Sequence, residues 1–425
     1  MNRKLQKMNI VCTALAAGLL CAPVYADQQE ADHKEIVLKA DTLFDGTKIW
    51  SGAGPYAVRV GSKGKITQAG LATDVDTTGA KVLYYKGGSI VPTFIDAHTH
   101  HLLNGVPALR LLEHGVTTAR DLGSSEPIKA ATTGKTYELR QFMSGPILSK
   151  AGGYPNNVFP GAGVDINNAD DAKTVVDRLV TEGASVISVS LEGGGESGAP
   201  WMKHDPVPAS GWPVMSGEEL DAIVAEAHKK GVKVAAYIGN QAGADMALLH
   251  NVDEWAHMPC NLLTPQTFKD AADAGVVIDG TLDTEIACEG VLDHGNVIAF
   301  LKAGGKLLYA TDNGHTDIPN GADAEEIHQI FHAEMINAIV NKGMTPPPAS
   351  MEVIVDAVTV ALTAATSAPA KYLLGDKTLL GQLVPGAPAD VMVIGSNVMQ
   401  NFKELEYPRI VMKDGQIVIQ RTARE

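Results

Sequence analysis

Aromatic residues make up only 5% of this chain, and it contains four cysteines. Two of the four, Cys12 and Cys21, lie in an N-terminal apolar stretch, so Cys260 and Cys288 are all that remains beyond it. Two cysteines are not a disulfide framework. They could pair in an oxidising compartment, but the expectation is a pair of buried thiols. Basic residues are also in deficit: 34 Lys and Arg face 49 Asp and Glu, for a formal charge of −15. No basic stripe can track a phosphate backbone, which excludes nucleic acid as the expected partner. Internal repeats and low-complexity linkers are absent, and the apolar run Ile10–Ala22 is too short to span a bilayer.

That short run still has a use. Arg3, Lys4 and Lys7 precede it, and Val24-Tyr25-Ala26 follows with small residues where a signal peptidase cuts. Residues 1–26 therefore read as a cleavable signal, and the mature protein as periplasmic or secreted with no membrane span. Cys21 follows Gly18-Leu19-Leu20, a poor lipoprotein signal. Cleavage after Ala26 removes three basic residues and no acidic one, taking the formal charge from −15 to −18.

Glycine is plentiful, at 43 of 425 residues, while hydrophobic and charged contents of 45% and 20% are those of a globular protein with a large core. Short strands and turns occupy 35–91, and the same texture returns from 381, with a hairpin turn at Lys413-Asp414-Gly415-Gln416. Residues 27–91 and 381–425 are expected to share a small β-sandwich. Between them, over 92–380, strands alternate with helices, the pattern of a parallel sheet. Eight strands are expected there, at 90–96, 117–121, 147–150, 186–191, 232–237, 254–257, 276–281 and 307–311, which fits a (β/α)8 TIM barrel. Helices are expected at 107–114, 169–182, 217–230, 242–250, 264–274 and 297–303. The stretch between the second and third strands carries little helical signal.

The first of these strands runs into His98-Thr99-His100-His101. Side chains two apart on a strand point the same way, so His98 and His100 can aim two imidazoles at one ion while His101 faces away. Alone, His-x-His is a weak signal. Position strengthens it, because barrels collect function at the C-terminal ends of their strands. His257 ends the sixth strand, Asp312 the eighth and Glu192 the fourth. Taken singly, His257 would be a satisfied core histidine and Asp312 a turn residue. Together, His98, His100, His257 and Asp312 make a ligand set for a divalent metal, with Zn the first candidate.

At this point the sequence resembles the amidohydrolase superfamily. The pieces that carry the likeness are Val91-Pro-Thr-Phe-Ile-Asp-Ala-His98-Thr-His100, Gly115-Val-Thr-Thr-Ala-Arg-Asp121, Thr311-Asp312-Asn-Gly and Gly381-Gln-Leu-Val-Pro-Gly-Ala-Pro-Ala-Asp390. It is most similar to the branch of imidazolonepropionase-like enzymes and Xaa-Pro or Xaa-Arg dipeptidases. The resemblance implies that His98, His100 and His257 are metal-binding histidines. It also makes Asp312 a ligand that takes a proton from a bound water. Two positions depart from the pattern. Ser188 stands where binuclear relatives carry a carboxylated lysine, and Tyr237 where they carry a fifth-strand histidine. Without a bridging carboxylate, two cations at ~3.5–4 Å would repel. One metal per chain is expected. Glu192 lies ~13 Å beyond Ser188 at ~3.3 Å per residue, and it or Lys150 could serve as a substitute ligand only if the backbone bends.

The reading implied is a metal-dependent hydrolase that cleaves a C–N bond (an amide, dipeptide or cyclic amide) through a metal-activated water. Asp312 and His257 are the candidate catalytic residues, and Tyr237, His315 and Glu192 the candidate substrate contacts. The partner is a small-molecule substrate, and the resemblance leans toward a homo-oligomer. Lactone or phosphoester hydrolysis at the same site, or a non-catalytic binding protein of the same fold, are the alternatives.

Overall fold

The computed structural model describes residues 34–102, 108–125, 128, 138–196, 198–199, 207–208, 210–314, 321–342 and 350–421. The expected signal segment and His315 lie outside the described residues.

Five strands open the described chain: β1 (Ile36–Phe44), β2 (Ile49–Trp50), β3 (Tyr56–Val60), β4 (Ile66–Leu71) and β5 (Lys81–Pro92). Alternation then takes over, with β6 (Phe94–Thr99), α1 (Ala108–Glu113), β7 (Val116–Asp121), β8 (Arg140–Met143), β9 (Ile147–Lys150), β10 (Gly163–Ile166), α2 (Ala169–Glu182) and β11 (Val186–Ser190). It continues through α3 (Gly217–Lys229), β12 (Lys233–Tyr237), α4 (Gln241–Leu249), β13 (Glu254–Trp255), α5 (Pro265–Ala274) and β14 (Val277–Asp279). After these come α6 (Glu289–Leu292), α7 (Gly295–Lys302) and β15 (Lys306–Leu308). Three helices, α8 (Ala324–Lys342), α9 (Met351–Ala364) and α10 (Ser367–Leu374), lead to the closing strands β16 (Val391–Ile394), β17 (Ile410–Lys413) and β18 (Gln416–Gln420).

This is a mixed α/β fold with parallel sheets. Strands from both ends of the chain form one eight-stranded sheet, in the order β18-β17-β16-β5-β1-β3-β4 with β2 on β1. Hydrogen bonds thus join the expected sandwich strands into a single sheet. Its pleat sends neighbouring residues to opposite sides. Ile90, Val391 and Val393 pack with Leu38, Val58 and Ile410 on one face. Val91, Met392 and Ile394 face the large central core on the other.

Two parallel sheets build the middle of the chain, β10-β9-β11-β12-β13-β14-β15 and β6-β7-β8. Every one of the eight strands expected from the pattern has a counterpart, in β6, β7, β9, β11, β12, β13, β14 and β15. Strand β8 is an addition in the stretch with little helical signal, and β10 is an addition between β9 and α2. The Ala97 amide donates to Tyr309 O at 3.0 Å, and the Asp312 amide to His98 O at 2.9 Å, linking β6 to the segment that follows β15.

Helix starts follow their capping residues. Ser216 and Glu219 form a reciprocal capping box at α3, satisfying amides that the first turn leaves open. Asn168 caps α2, which ends at Gly183 with φ 112°. The run from Met351 to Leu374 is apolar enough, by length and composition, to cross a membrane, yet 61% of the relevant window is buried inside the fold. Val358, Ala361 and Leu362 belong to the central core.

One expectation is overturned. Cys260 and Cys288 are not free thiols but a disulfide, with Cα atoms 4.7 Å apart. It joins the segment after β13 to the start of α6, two loops brought together by the parallel strands that precede them.

Candidate metal centre

Strand parity positions the first two ligands. His98 and His100 leave β6 on the same side, and both are buried. Each ring is held at its far nitrogen: His98 Nδ1 lies 2.6 Å from Ala256 O, and His100 Nδ1 lies 2.7 Å from Gly123 O. A carbonyl can only accept, so both Nδ1 atoms carry the proton and both Nε2 atoms present a lone pair. Asp121, from β7, supports this arrangement by accepting the Gly123 amide at 3.1 Å.

Asp312 reaches the same point from the other edge. It adopts φ 57°, unusual for a non-glycine residue, and its amide is tied to His98 O. Gly314 makes the close approach possible, since a Cβ there would sit 2.2 Å from His100 O. The three donor atoms converge. His98 Nε2 and His100 Nε2 are 3.1 Å apart, and Asp312 Oδ1 lies 3.5 Å and 3.1 Å from them.

Two imidazole lone pairs and a carboxylate oxygen this close repel one another unless a cation or a proton lies among them. Burial, followed by the neighbouring His257, holds His98 well below the ordinary histidine range. His100 goes the other way: burial opposes its charge, but the Asp312 carboxylate raises it. The donor separations are those of ligands sharing one ion at ~2.0–2.2 Å. The residues therefore fit a divalent metal. Among the described residues, His98, His100 and Asp312 form the one such three-donor group.

His257 adjoins this group. Its ring centre is 4.6 Å from that of His98, and its Nδ1 is 2.9 Å from Thr281 Oγ1. Tyr237, on β12, places its hydroxyl 3.2 Å from His98 Nε2 and 3.3 Å from Leu122 O. Burial, and then the neighbouring Tyr154, push that phenol well above its ordinary range, so it remains a hydrogen-bond donor.

Ser188 and the two possible substitute ligands, Lys150 and Glu192, have other partners. Ser188 donates to Leu122 O. Lys150 Nζ donates to Glu219 Oε1 at 2.6 Å, at the α3 cap. Glu192 lies past the end of β11, accepts the Gly194 amide at 3.0 Å and sits with Glu196 against Gly239. Burial and the Glu196 charge push its carboxyl well above the usual range.

The sequence reading missed a charged layer beneath the ligands. Arg120, buried on β7, donates to Ala97 O at 2.7 Å, to Glu254 Oε2 at 3.0 Å and to Asp279 Oδ2 at 3.2 Å. Asp279 Oδ2 in turn lies 3.8 Å from His98 Nδ1. Arg120 lies inside a strand whose every residue is buried. Asp96 braces the opposite side, accepting the His98 and Thr311 amides at 3.2 Å each. Burial pushes its carboxyl up to about 7.

By sequence, the chain matches no protein-family model and no curated protein. By structure it matches several solved proteins along their whole length. One is an amidohydrolase, 23% identical with a TM-score of 0.66 over 92% of this chain and 100% of that one. A prolidase complexed with N-methylphosphonate-L-proline is 20% identical, with a TM-score of 0.66 over 91% and 100%. A Xaa-Pro dipeptidase with methionine bound in its active site is 18% identical, with a TM-score of 0.65 over 90% and 99%. At these identities the likeness is one of fold.

Proposed function

We propose that this chain is a metal-dependent hydrolase of C–N bonds, in amides, dipeptides or cyclic amides, working with one divalent ion at His98, His100 and Asp312. The observation that carries the reading is the convergence of three buried donors within 3.5 Å of one another. Zinc is the first candidate, since two imidazoles and a carboxylate suit it. The names of the structural neighbours (amidohydrolase, prolidase, Xaa-Pro dipeptidase) support the bond type. We also read the two parallel sheets as a (β/α)8 barrel, supported by the backbone bonds that join β6 to the segment after β15. On that reading the donors sit at the C-terminal ends of the strands, where barrels place chemistry.

When bound, the ion would supply Lewis acidity, making a water acidic near neutral pH and polarising a substrate carbonyl. The chain's residues do the rest. Asp312 holds the water and accepts its proton at the carboxylate. His257, whose ring centre lies 4.6 Å from that of His98, can relay a proton to the leaving nitrogen. Tyr237 offers its hydroxyl to the oxygen on which charge develops. The charged layer of Arg120, Glu254 and Asp279 keeps His98 in one orientation from below, as outer partners of a ligand histidine do.

Export is part of the proposal. The N-terminal segment reads as a signal, and a disulfide is at home in an oxidising compartment. Mass spectrometry of the envelope protein should find Asp27 first, and a mature chain retaining Met1 would end that part.

Metal analysis followed by a substrate panel of dipeptides, N-acyl amino acids and lactones tests the function. Metal bound with turnover confined to the C–N members is the expected result. Turnover of lactones alone would reassign the bond. Bound metal without any turnover would favour a binding protein.

A further inference from the structure

The parallel strands have a second end. Where β11, β12, β14 and β15 begin lies a cavity of about 930 Å³, walled on one side by α10. That volume is in the range of small-molecule sites, ~300–1,000 Å³. Tyr237, the last residue of β12, reaches the metal-binding donors, whereas Lys233, the first, reaches this cavity. The two residues are four apart, so strand parity sends both to the same side of the sheet. They stand ~13 Å from each other at ~3.3 Å per residue. His98, His100, His257 and Asp312 do not line the cavity. It is a space of its own.

The chain carries a formal charge of −15, yet this cavity is cationic. Arg120 lines it but is spent on Glu254 and Asp279. His228 is spent on Asp253, whose Oδ2 also accepts the Val234 amide at 2.8 Å. Lys233, Lys306 and Lys371 are then left facing Asp376 alone. None of these three lysines forms an ion pair among the described residues. Lys233 matters most, because it is partly buried. Its Nζ lies 3.5 Å from the centre of the Tyr372 ring and donates to Tyr372 O at 2.8 Å. An ammonium has three protons, and one carbonyl answers one of them. Burial lowers Lys233 below the ordinary lysine range, although the charges of Glu254 and Asp253 oppose the shift. A charge withdrawn from water costs free energy unless it is paired. An anion in the cavity would pair it.

We propose that this cavity is a second ligand site, which binds a small organic anion with an apolar body and a carboxylate or phosphate head. The head pairs with Lys233 and with Lys306 and Lys371. The body lies against Val186, Val252, Val277 and Leu308, the apolar part of the lining. The site does not depend on which bond the metal centre cleaves.

Isothermal titration of the full chain tests the site. The probes are 2-naphthoate and naphthalene-2-phosphonate, which separate the two head groups, with 2-naphthylmethanol as the uncharged counterpart. At least one anion should bind, and the alcohol should not. Lys233→Gln should weaken the anion ~10-fold or more, the scale of one charge-assisted hydrogen bond. Lys371→Glu should weaken it as well, and it decides the matter if Lys233→Gln fails to fold. Added salt should weaken binding further, because Lys306 is exposed. His100→Ala, which disables the metal centre, should bind the anion as wild type does. Neither anion binding, or the alcohol binding equally well, would overturn the proposal. So would affinity unchanged in folded Lys233→Gln and in Lys371→Glu. Binding lost in His100→Ala would place the anion on the metal and overturn it too.

Discussion

Asp312 has two duties, ligand and proton acceptor, and a single substitution separates them. Asp312→Asn keeps the shape and an oxygen, while His98 and His100 still present their Nε2 atoms 3.1 Å apart. Turnover on a C–N substrate should fall by ~10²–10⁴-fold with much of the metal retained. His98→Ala should lose metal and activity together. Tyr237→Phe should cost less than the ~10²–10³-fold of a dedicated oxyanion donor, because its hydroxyl is shared with Leu122 O. An Asp312→Asn protein with metal bound and near-normal turnover would move the base to His257. At this scale the sequence was legible where the signal is local. His98 and His100 follow from strand parity, and Asp312 from its place after a strand. Arg120 was not legible. Arg120 finds Glu254 and Asp279 at separations of 134 and 159 residues, and no spacing rule reaches that far.

Secondary-structure elements were readable in proportion to their periodicity and caps. Helix α2 was expected at 169–182 and is found there, because Asn168 begins it and Gly183 ends it. Helices α8, α9 and α10 went unread. The apolar residues of α8 are scattered around its axis, and α9 is apolar over most of its surface, so neither presents the one-sided stripe that marks a surface helix. The disulfide was missed for another reason. Its cysteines are 28 residues apart in sequence, and only the folded order of β13 and β14 makes them neighbours. Closing a loop of that length should stabilise the chain by ~3–4 kcal/mol on the chain-entropy account. The double variant Cys260→Ser, Cys288→Ser should therefore show a urea midpoint well below wild type, and wild type should approach it under reducing conditions. Equal midpoints in all three samples would show that the bridge does not form.

Across the whole molecule, the seam between the terminal sheet and the parallel sheets is pinned by charge. Arg140 on β8 pairs with Asp390 and Asp414, and Asp390 is buried. Burial alone would raise the Asp390 carboxyl, but Arg140 holds it below the ordinary carboxylate range. A carboxyl lowered in the folded state stabilises the fold above its unfolded pKa, and that contribution is lost as pH falls through the folded value. Asp390→Asn should cost on the order of 3 kcal/mol at pH 7, as breaking a buried pair does. The difference from wild type should shrink as pH drops below ~3.9. A cost independent of pH would mean the pair is not ionic. The Pro385–Asp390 turn was visible in sequence as the entry to β16, but its partner on β8 was not, because β8 lies where helical signal failed. The measurement that bears most directly on the account as a whole is a metal titration. Protein stripped by a chelator is given Zn²⁺ in steps, and hydrolysis of a C–N substrate is followed at each step. Activity should be absent at first, rise linearly and level off at one equivalent per chain, and a His100→Ala variant should not recover. Turnover that survives stripping, or that climbs until two equivalents are bound, would contradict a single ion held by His98, His100 and Asp312.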